Sequence, residues 1–296
     1  MSGGPAAARS AGTLRRDAAL TAVLAAVGVV AMWWVFVVTS MGQRVESTAL
    51  EGSRIGRRRL SEGSQTVLDV VSVPFLVVVI VAGVAVAVAQ RQWRVALAVP
   101  LLVGGANVTT QLLKYQVLPR PDLGVSEAVA NSLPSGHTTV AGTVAAVAVL
   151  VAPPRWRWAA TLAGWAYAGG TGLATMVNGW HRASDVAAAM LVVLLWGALA
   201  VLVAGPGVRR AGDRPTTVTR RLLLLGAGVG ALMAGLSLVV TASGSGASRT
   251  ELLVAYGGAV LGVAAVTVLS AGLLLHLTTG PVGPERHTGP ASGGRR

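Results

Sequence analysis

The sequence predicts an all-α polytopic membrane protein, and three observations carry this prediction. Hydrophobic residues make up 53% of the 296 residues and charged residues only 12%, with a mean hydropathy of +0.66. The hydrophobic residues fall in runs of about 20, the length that a helix needs to cross the hydrocarbon core of a bilayer. Short polar and basic stretches separate these runs. This pattern is far from that of soluble globular domains.

Eight hydrophobic runs are long enough, or nearly so, to span a bilayer. They cover residues 18–38, 67–89, 95–113, 138–152, 158–177, 186–204, 222–240 and 252–277. The fourth run is short for a complete span, so we expect its helix to begin earlier, at Gly136 or His137. Four tryptophans lie at run ends, where amphipathic rings favour the membrane interface: Trp93, Trp156, Trp158 and Trp180.

Six of the eight helices are predicted to form a core over residues 17–204, followed by a linker and two additional C-terminal transmembrane helices over 205–278. The seventh run contains Gly226, Gly228 and Gly230. No strand precedes them, so close helix packing explains them better than a dinucleotide-binding loop. The last two runs hold almost no ionisable residue and are interpreted as scaffold. Residues 1–16 and 279–296 are rich in Gly, Ala, Ser and Pro and are predicted to be disordered cytoplasmic tails.

The net charge of +13 comes from arginines that lie in short clusters between the hydrophobic runs. Such clusters are topology signals of membrane proteins, so no nucleic-acid partner is expected. With eight spans both termini lie on one side, and that side holds fifteen of the 24 basic residues. We therefore expect cytoplasmic termini, although Arg57, Arg58 and Arg59 in a longer loop oppose this orientation. A composition rich in Ala, Val, Gly and Arg favours a bacterial plasma membrane.

Ionisable residues at the ends of the hydrophobic runs are the candidate functional groups. The sequence contains no Cys, which excludes disulfides, thiolate metal sites and a cysteine nucleophile. Lys114 ends the third run, Ser135 to His137 open the fourth, and His181 to Asp185 open the sixth. On the predicted topology all these ends reach the extracytoplasmic face, so they can form one site there.

His181 and Asp185 are four residues apart, which places them on one side of a helix, one turn from each other. Asp185 can accept a hydrogen bond from one imidazole nitrogen and leave the other nitrogen as a nucleophile. The alternative for His181 alone is an interfacial polar residue with an incidental partner.

The Pro-Ser-Gly-His motif at 134–137 is typical of a tight turn into a helix. Ser135 is a candidate N-cap, and Gly136 lets free backbone N–H groups come close to an anion. His137 titrates near neutral pH and suits a general acid, and Lys114 and Arg120 supply positive charge in the preceding loop. The alternatives are an ordinary turn before a span and a lysine that only extends to the membrane interface.

These residues resemble the pattern of the type 2 phosphatidic acid phosphatase (PAP2) family. In that family a Lys precedes Arg-Pro, Pro-Ser-Gly-His follows, and a Ser-Arg pair is then followed by a His and an Asp. The matching residues here are Lys114, Arg120 with Pro121, the motif at 134–137, and His181 with Asp185. The resemblance covers about residues 67–204.

The resemblance implies a PAP2-like catalytic core of six helices that removes phosphate from a membrane lipid phosphate or diphosphate, with no metal and no cofactor. It implies that His181 forms a phosphohistidine, that Asp185 orients His181, and that His137 protonates the leaving lipid oxygen. The phosphate would be held by Lys114, Arg120, Ser135 and Gly136. The implied partners are the phosphorylated lipid substrate and membrane lipid, and the implied location is the outer face of the membrane. No oligomeric state is implied.

Two departures from the family pattern concern the phosphate site. Five residues separate Lys114 from Arg120, where the family usually has six. The Ser-Arg pair of the family falls at Ala174 and Thr175, so one phosphate-binding arginine is missing. Arg182, directly after His181, is predicted to replace that charge.

Four questions stay open at this point. A catalytically weak or inactive relative that binds or transports lipid phosphates is an alternative function, since an arginine is missing. A metal hydrolase would need His137, His181 and either Asp122 or Asp185, but no close metal-ligand motif is present. The loop 41–64 either covers the site or is a solvated connector. Candidate substrates are polyprenyl phosphates or diphosphates, phosphatidic acid, phosphatidylglycerol phosphate and glycosylated polyprenyl phosphates.

Overall fold

The computed structural model describes residues 5–55, 73–125, 130–208, 217–244 and 248–279. Within these residues the chain forms nine α-helices and no strand. The helices are α1 (Pro5–Met32), α2 (Ser40–Ser53), α3 (Val73–Ala89), α4 (Trp93–Leu112), α5 (Gly136–Val151), α6 (Arg157–Val177), α7 (Ala183–Ala204), α8 (Thr217–Ser243) and α9 (Arg249–Thr278). A π-helical turn extends α1 over Trp33–Val38, and another extends α4 over Leu113–Val117. Two short 3₁₀ turns, Pro154–Trp156 and Gly205–Val208, precede α6 and follow α7.

The predicted polytopic all-α fold is confirmed. Each of the eight hydrophobic runs lies in a helix, apart from the start of the second run, which falls outside the described residues. Five helical segments are long and apolar enough to cross a membrane: Ala11–Val38, Trp93–Val117, Ala183–Val208, Leu223–Ser243 and Arg249–Thr278. The segments Pro74–Ala89 and Gly136–Val151 are apolar but shorter. As expected from its short run, α5 begins at Gly136.

Two predictions about the N-terminal region are wrong. The predicted disordered tail 1–16 is helical from Pro5 onward, because a Pro at the first helical position is followed by a stretch rich in Ala, the strongest helix former. The predicted loop 41–64 contains α2 up to Ser53. This helix is amphipathic, and a search for membrane-length apolar runs cannot detect it. Residues 56–64 and 280–296 lie outside the described residues.

Helix α7 is the centre of the fold. It packs against α1, α4, α5 and α9, and 67% of its span is buried inside the protein, more than in the other four long spans. Its sequence supplies the reason: small residues at buried positions, Ala187, Ala188, Ala189, Ala198 and Ala200, let neighbouring helices come close. Since His181 and Asp185 stand at the start of α7, the site rests on the most buried of the five long spans.

The last two helices pack mainly against each other, and α9 also contacts α2, α6 and α7. Helix α8 lies at the edge of the fold, with only 11% of its span buried. Of the three glycines predicted to serve helix packing, Gly230 does so: a side chain there would meet Ala265 and the carbonyl of Leu261. Gly228 faces open space and Gly226 has only a distant neighbour, so the packing prediction holds for one glycine.

Arg157 is one of the fifteen basic residues predicted to lie on the cytoplasmic side. In the structure it is a buried structural residue with 1% exposure. Its Nη1 donates to the carbonyls of Val208 (3.1 Å) and Thr278 (2.6 Å), and its Nη2 donates to that of Ala152 (3.3 Å). These carbonyls lie at or just beyond the C-terminal ends of α7, α9 and α5. A cation is favourable there because the last carbonyls of a helix lack intrahelical partners and carry partial negative charge.

Candidate active site

The His181–Asp185 pair forms as predicted. Nδ1 of His181 lies 3.0 Å from Oδ2 of Asp185, and both residues are buried, with 7% and 1% exposure. An ionised carboxylate only accepts hydrogen bonds, so Nδ1 carries the proton and Nε2 keeps its lone pair. The second ring nitrogen of His181 is therefore available as a nucleophile or base.

Two further donors hold Asp185. The Ser132 hydroxyl donates to Oδ2 (2.7 Å), and the backbone N–H of Arg182 donates to the same oxygen (2.9 Å). Ser132 also accepts a hydrogen bond from Nη1 of Arg182 (3.1 Å). Ser132 was not among the predicted site residues, because it lies just before the motif at 134–137 and no local pattern marks it.

Arg182 and Arg120 lie close to each other at this site. Arg182 is 7% exposed. Burial lowers the pKa of Arg120, and the positive charge of Arg182 lowers it further. Two like charges held in partly buried positions repel each other, and a bound dianion would relieve that repulsion. The pair thus forms an electropositive region beside His181.

The loop that carries Arg120 is fixed by the N-terminal helices. Nε1 of Trp33 donates to the carbonyl of Pro119 (2.9 Å), and Nε2 of Gln43 donates to the carbonyl of Pro121 (3.0 Å). The two acceptors flank Arg120, so its backbone is held on both sides. Gln43 is 1% exposed, and neither Gln43 nor Trp33 was among the predicted site residues.

The Pro-Ser-Gly-His motif starts α5 as predicted. Ser135 is the N-cap, and its hydroxyl oxygen accepts from the backbone N–H of Thr138 (3.4 Å). The N–H of Ser135 donates to the carbonyl of Asp185 (2.9 Å). Ser135 was predicted among the phosphate-binding residues, but its own backbone N–H is not free for a phosphate, because that group joins α5 to α7.

Open space lies beside Gly136, where a side chain would meet only the tip of Gln111 at 3.9 Å. As the first residue of α5, Gly136 has no intrahelical acceptor for its N–H. The ring centroid of His137 lies 5.6 Å from that of Trp180, and His137 is within range of the charges of His181 and Lys114. The start of α5 thus offers an N–H and a titratable ring next to the His181 region.

Lys114 lies in the π-helical turn after α4, with Nζ 5.5 Å from the centre of the Tyr115 ring. Nδ2 of Asn131 donates to the carbonyls of Leu118 (2.9 Å) and Leu133 (3.0 Å), and lies 3.3 Å from that of Lys114. This one amide joins the Lys114 turn to the segment before α5. The Lys114 turn and the start of α5 are therefore held next to each other.

The comparison with protein families agrees with this geometry. Residues 73–208 match the family model of the PAP2 superfamily. The chain contains a PAP2 superfamily domain. No curated protein and no solved structure matches the chain. The match agrees with the extent of 67–204 inferred from the motifs, and it includes every predicted site residue from Lys114 to Asp185.

Thr175, where the PAP2 pattern has an arginine, has a structural role here. It is fully buried, and its hydroxyl donates to the carbonyl of Gly172 (2.7 Å). Its own carbonyl accepts from the backbone N–H groups of Trp180 (2.9 Å) and His181 (3.3 Å). Thr175 therefore holds the backbone of His181 through its carbonyl, and its own side chain is fully enclosed by the protein.

Glu46 on α2 touches the site from outside the PAP2 domain. Its Oε1 accepts from the backbone N–H of Ser184 (3.1 Å), and the side chain is 5% exposed. Burial raises the pKa of Glu46 to about 7, and the negative charge of Asp185 acts in the same direction. No motif marks Glu46, since it lies 138 positions from its partner.

The proposed metal-ligand set does not come together in the part of the chain that the structure describes. No group of three or more His, Cys, Asp or Glu residues could hold a metal ion there. Asp122 instead accepts from the N–H of Gly124 (3.0 Å), and Asp185 is occupied by His181. The PAP2 domain thus presents a histidine–carboxylate pair among cationic side chains.

Proposed function

We propose that the protein is a metal-independent phosphatase that removes phosphate from a membrane lipid phosphate or diphosphate through a phosphohistidine intermediate. The observation that carries the proposal is the 3.0 Å contact between Nδ1 of His181 and Asp185, which leaves Nε2 free beside Arg120 and Arg182. The PAP2 domain supports a phosphatase or a related protein, and the apolar helices support a membrane substrate.

In the first step Nε2 of His181 attacks the phosphorus and forms a P–N bond. The bond between phosphorus and the lipid oxygen breaks, and His137 gives its proton to that oxygen. Asp185 accepts the hydrogen bond from Nδ1 throughout and stabilises the positive charge that develops on the ring. The dephosphorylated lipid then leaves.

In the second step a water molecule attacks the phosphorus. His137, now neutral, takes a proton from the water, the P–N bond breaks, and inorganic phosphate is released. His181 recovers its lone pair at Nε2. The two steps balance without any group besides water.

The non-bridging oxygens are held by Lys114, Arg120 and Arg182 together with the N–H of Gly136. Positive groups fixed in a partly buried site stabilise charge that develops in the transition state without having to reorganise. Arg182 thereby replaces the arginine that the PAP2 pattern has at Thr175. Ser135 acts through α5, which it caps, and not as a phosphate ligand.

The substrate side of the proposal follows from the membrane setting. A lipid whose chains stay in the bilayer presents its phosphate at the interface, where the starts of α5 and α7 meet. The charge distribution favours cytoplasmic termini and a site on the extracytoplasmic side of a bacterial plasma membrane. Polyprenyl, phosphatidyl and glycosylated polyprenyl phosphates all fit this description.

The test is release of inorganic phosphate by the purified protein across these lipid classes, with and without a chelator. We expect release from at least one class, unchanged by the chelator and abolished in His181→Ala. Rapid acid-free quenching should trap the phosphate on His181. A phosphate adduct on any other residue would overturn the mechanism. Binding of lipid phosphate without release would favour the binding or transport protein that the missing arginine at 175 suggests.

A further inference from the structure

We propose that the cavity between the site and the two C-terminal helices binds a hydrocarbon chain of the phosphorylated lipid. This inference rests on the proposed function and deepens it, because it gives α8 and α9 a part in choosing the substrate. Both helices lie outside the PAP2 domain, and their apolar sequence alone suggested only scaffold.

The cavity has a volume of about 310 Å³, at the lower end of the range for small-molecule pockets. Residues of α1, α2, α7, α8 and α9 line it. At one end stand His181, Arg182, Ser184 and Glu46, and the remaining wall is mostly apolar, with Ser53, Ser237, Thr241 and Tyr256 as its polar members. The same two residues, His181 and Arg182, thus border both the proposed phosphate site and the cavity.

Small residues on α8 and α9 line this space. Ala231, Ala234 and Gly235 recur at helical spacing on the wall of α8, and Gly258, Ala259 and Gly262 do so on α9. The lining residues of α8 run from Ala231 to Thr241, which is about 15 Å along the helix axis. A cavity of this length and volume is narrow, and it suits one extended chain.

The polar end of the cavity contains buried groups that need partners. Within the described residues, Oε2 of Glu46, Oγ of Ser184 and Nε of Arg182 have none. Buried polar atoms are nearly always hydrogen-bonded, by protein, water or ligand. The phosphate and the polar linkage of a lipid would supply such partners where the chain meets its headgroup.

The cavity also solves an energetic problem of the reaction. Each methylene group of a lipid chain that is exposed to water adds an unfavourable free energy, so a lipid cannot leave the bilayer freely to reach a polar site. An apolar channel that ends at His181 keeps the chain out of water while the phosphate reaches the nucleophile. Helix α8, which is mostly exposed at the edge of the fold, leaves this channel next to the surrounding lipid.

The decisive variant is Gly235→Leu, with Gly228→Leu as its matched control. A Cβ at either glycine meets no atom within 4 Å, so neither change clashes at the backbone. Gly235 lines the cavity and Gly228 does not. The two variants therefore make the same substitution on the same helix, and only one of them fills the cavity.

The first measurement compares kcat/KM for dioleoyl and dihexanoyl phosphatidate in detergent micelles. For Gly235→Leu we expect a loss of about tenfold with the dioleoyl lipid and less than twofold with the dihexanoyl lipid. We expect Gly228→Leu to match the wild type with both. An equal loss with both lipids, or an equal effect of both variants, would overturn the proposal.

The second measurement does not depend on turnover. Phosphatidate with a diazirine in its chain is photo-crosslinked to the His181→Ala protein, and the modified peptides are identified by mass spectrometry. We expect crosslinks within 231–241 and 255–266 that Gly235→Leu reduces at least fivefold and Gly228→Leu preserves. Phosphatidylcholine with the same chain should not give this pattern. Crosslinks that Gly235→Leu leaves unchanged refute the cavity, whereas cavity crosslinks without phosphate release refute only the proposed function.

Discussion

Oδ2 of Asp185 accepts hydrogen bonds from three donors: Nδ1 of His181, the Ser132 hydroxyl and the backbone N–H of Arg182. Each donor stabilises the ionised carboxylate and fixes its position. Ser132 has a double role because it also accepts from Arg182. One hydroxyl thus links Asp185, which bonds the proposed nucleophile His181, to a residue proposed to hold the phosphate.

We predict that Ser132→Ala slows phosphate release about tenfold, because losing a hydrogen bond to a charged group corresponds to roughly 1.5 kcal/mol. The loss should appear in kcat, and the pH profile of kcat should shift, since Asp185 and Arg182 both lose a partner. Ser243→Ala is the control, because that exposed hydroxyl bonds only to the backbone of its own helix. A purely structural role of Ser132 would lower the melting temperature and leave the pH profile in place.

Arg182 and Thr175 offer a second test at this scale. We predict that Arg182→Ala reduces kcat/KM at least a hundredfold, and that Arg182→Lys restores only part of it, because a lysine keeps the charge but not the planar fork. Thr175→Arg should not rescue Arg182→Ala, since Thr175 is fully buried below His181. Arg44→Ala, at an exposed arginine of α2, serves as the control. Normal activity in Arg182→Ala together with higher activity in Thr175→Arg would falsify the replacement.

At the scale of single elements, α2 is the helix that sequence patterns did not reveal. It contributes Gln43, which donates to the carbonyl of Pro121, and Glu46, which accepts from Ser184. The first contact holds the Arg120 loop and the second holds the start of α7. A short amphipathic helix outside the PAP2 domain thereby fixes two separate parts of the proposed phosphate site.

The raised pKa of Glu46 predicts a pH dependence of stability. Between its ordinary value of 4.5 and the folded value of about 7, the folded protein keeps a proton that the unfolded chain has released. Stability from this group is therefore fully present below pH 4.5 and is lost as pH rises to about 7. We expect the melting temperature in detergent to fall across this window, and to fall less in Glu46→Gln. Glu51 is an exposed carboxyl on the same helix, so Glu51→Gln should keep the wild-type dependence of melting temperature on pH. The same dependence in all three proteins would contradict the prediction.

At the scale of the whole molecule, Arg157 joins the PAP2 domain to the C-terminal helices. Its guanidinium bonds the carbonyl of Thr278 at the end of α9 and that of Val208 after α7. The same α9 contacts α2 and α7 and lines the cavity. The N-terminal helices, the family domain and the last two helices therefore form one packed unit.

We predict that Arg157→Met strongly destabilises the protein, because it leaves several buried carbonyls without a donor. The free energy of unfolding should fall by about 3 kcal/mol, which lowers the melting temperature by roughly 5 to 10 °C. Arg155→Met, at an exposed arginine two positions earlier, should change it by less than about 2 °C. A melting temperature of Arg157→Met equal to that of Arg155→Met would show that the buried guanidinium contributes nothing.

Much of the fold was predictable because membrane helices carry their signal in length and hydropathy. The start of α5 at Gly136 and the pairing of His181 with Asp185 follow from local spacing. Other features depend on contacts between distant residues: Glu46 with Ser184, Ser132 with Arg182, and Arg157 with Thr278. A single sequence contains no mark of such pairs. Helix α2 was missed for a different reason. Polar residues interrupt its apolar face, so it contains no continuous apolar run.

The bond from Arg157 to the carbonyl of Thr278 joins residues 121 positions apart, and this separation bears on how the protein is made. Chains are synthesised from the N-terminus at about 5 to 20 residues per second, so α6 enters the membrane several seconds before α9 exists. During that time Arg157 lacks this partner, and the apolar wall behind His181 is missing. The His181–Asp185 pair is complete in sequence at residue 185, but its surroundings form only after residue 278 has been added.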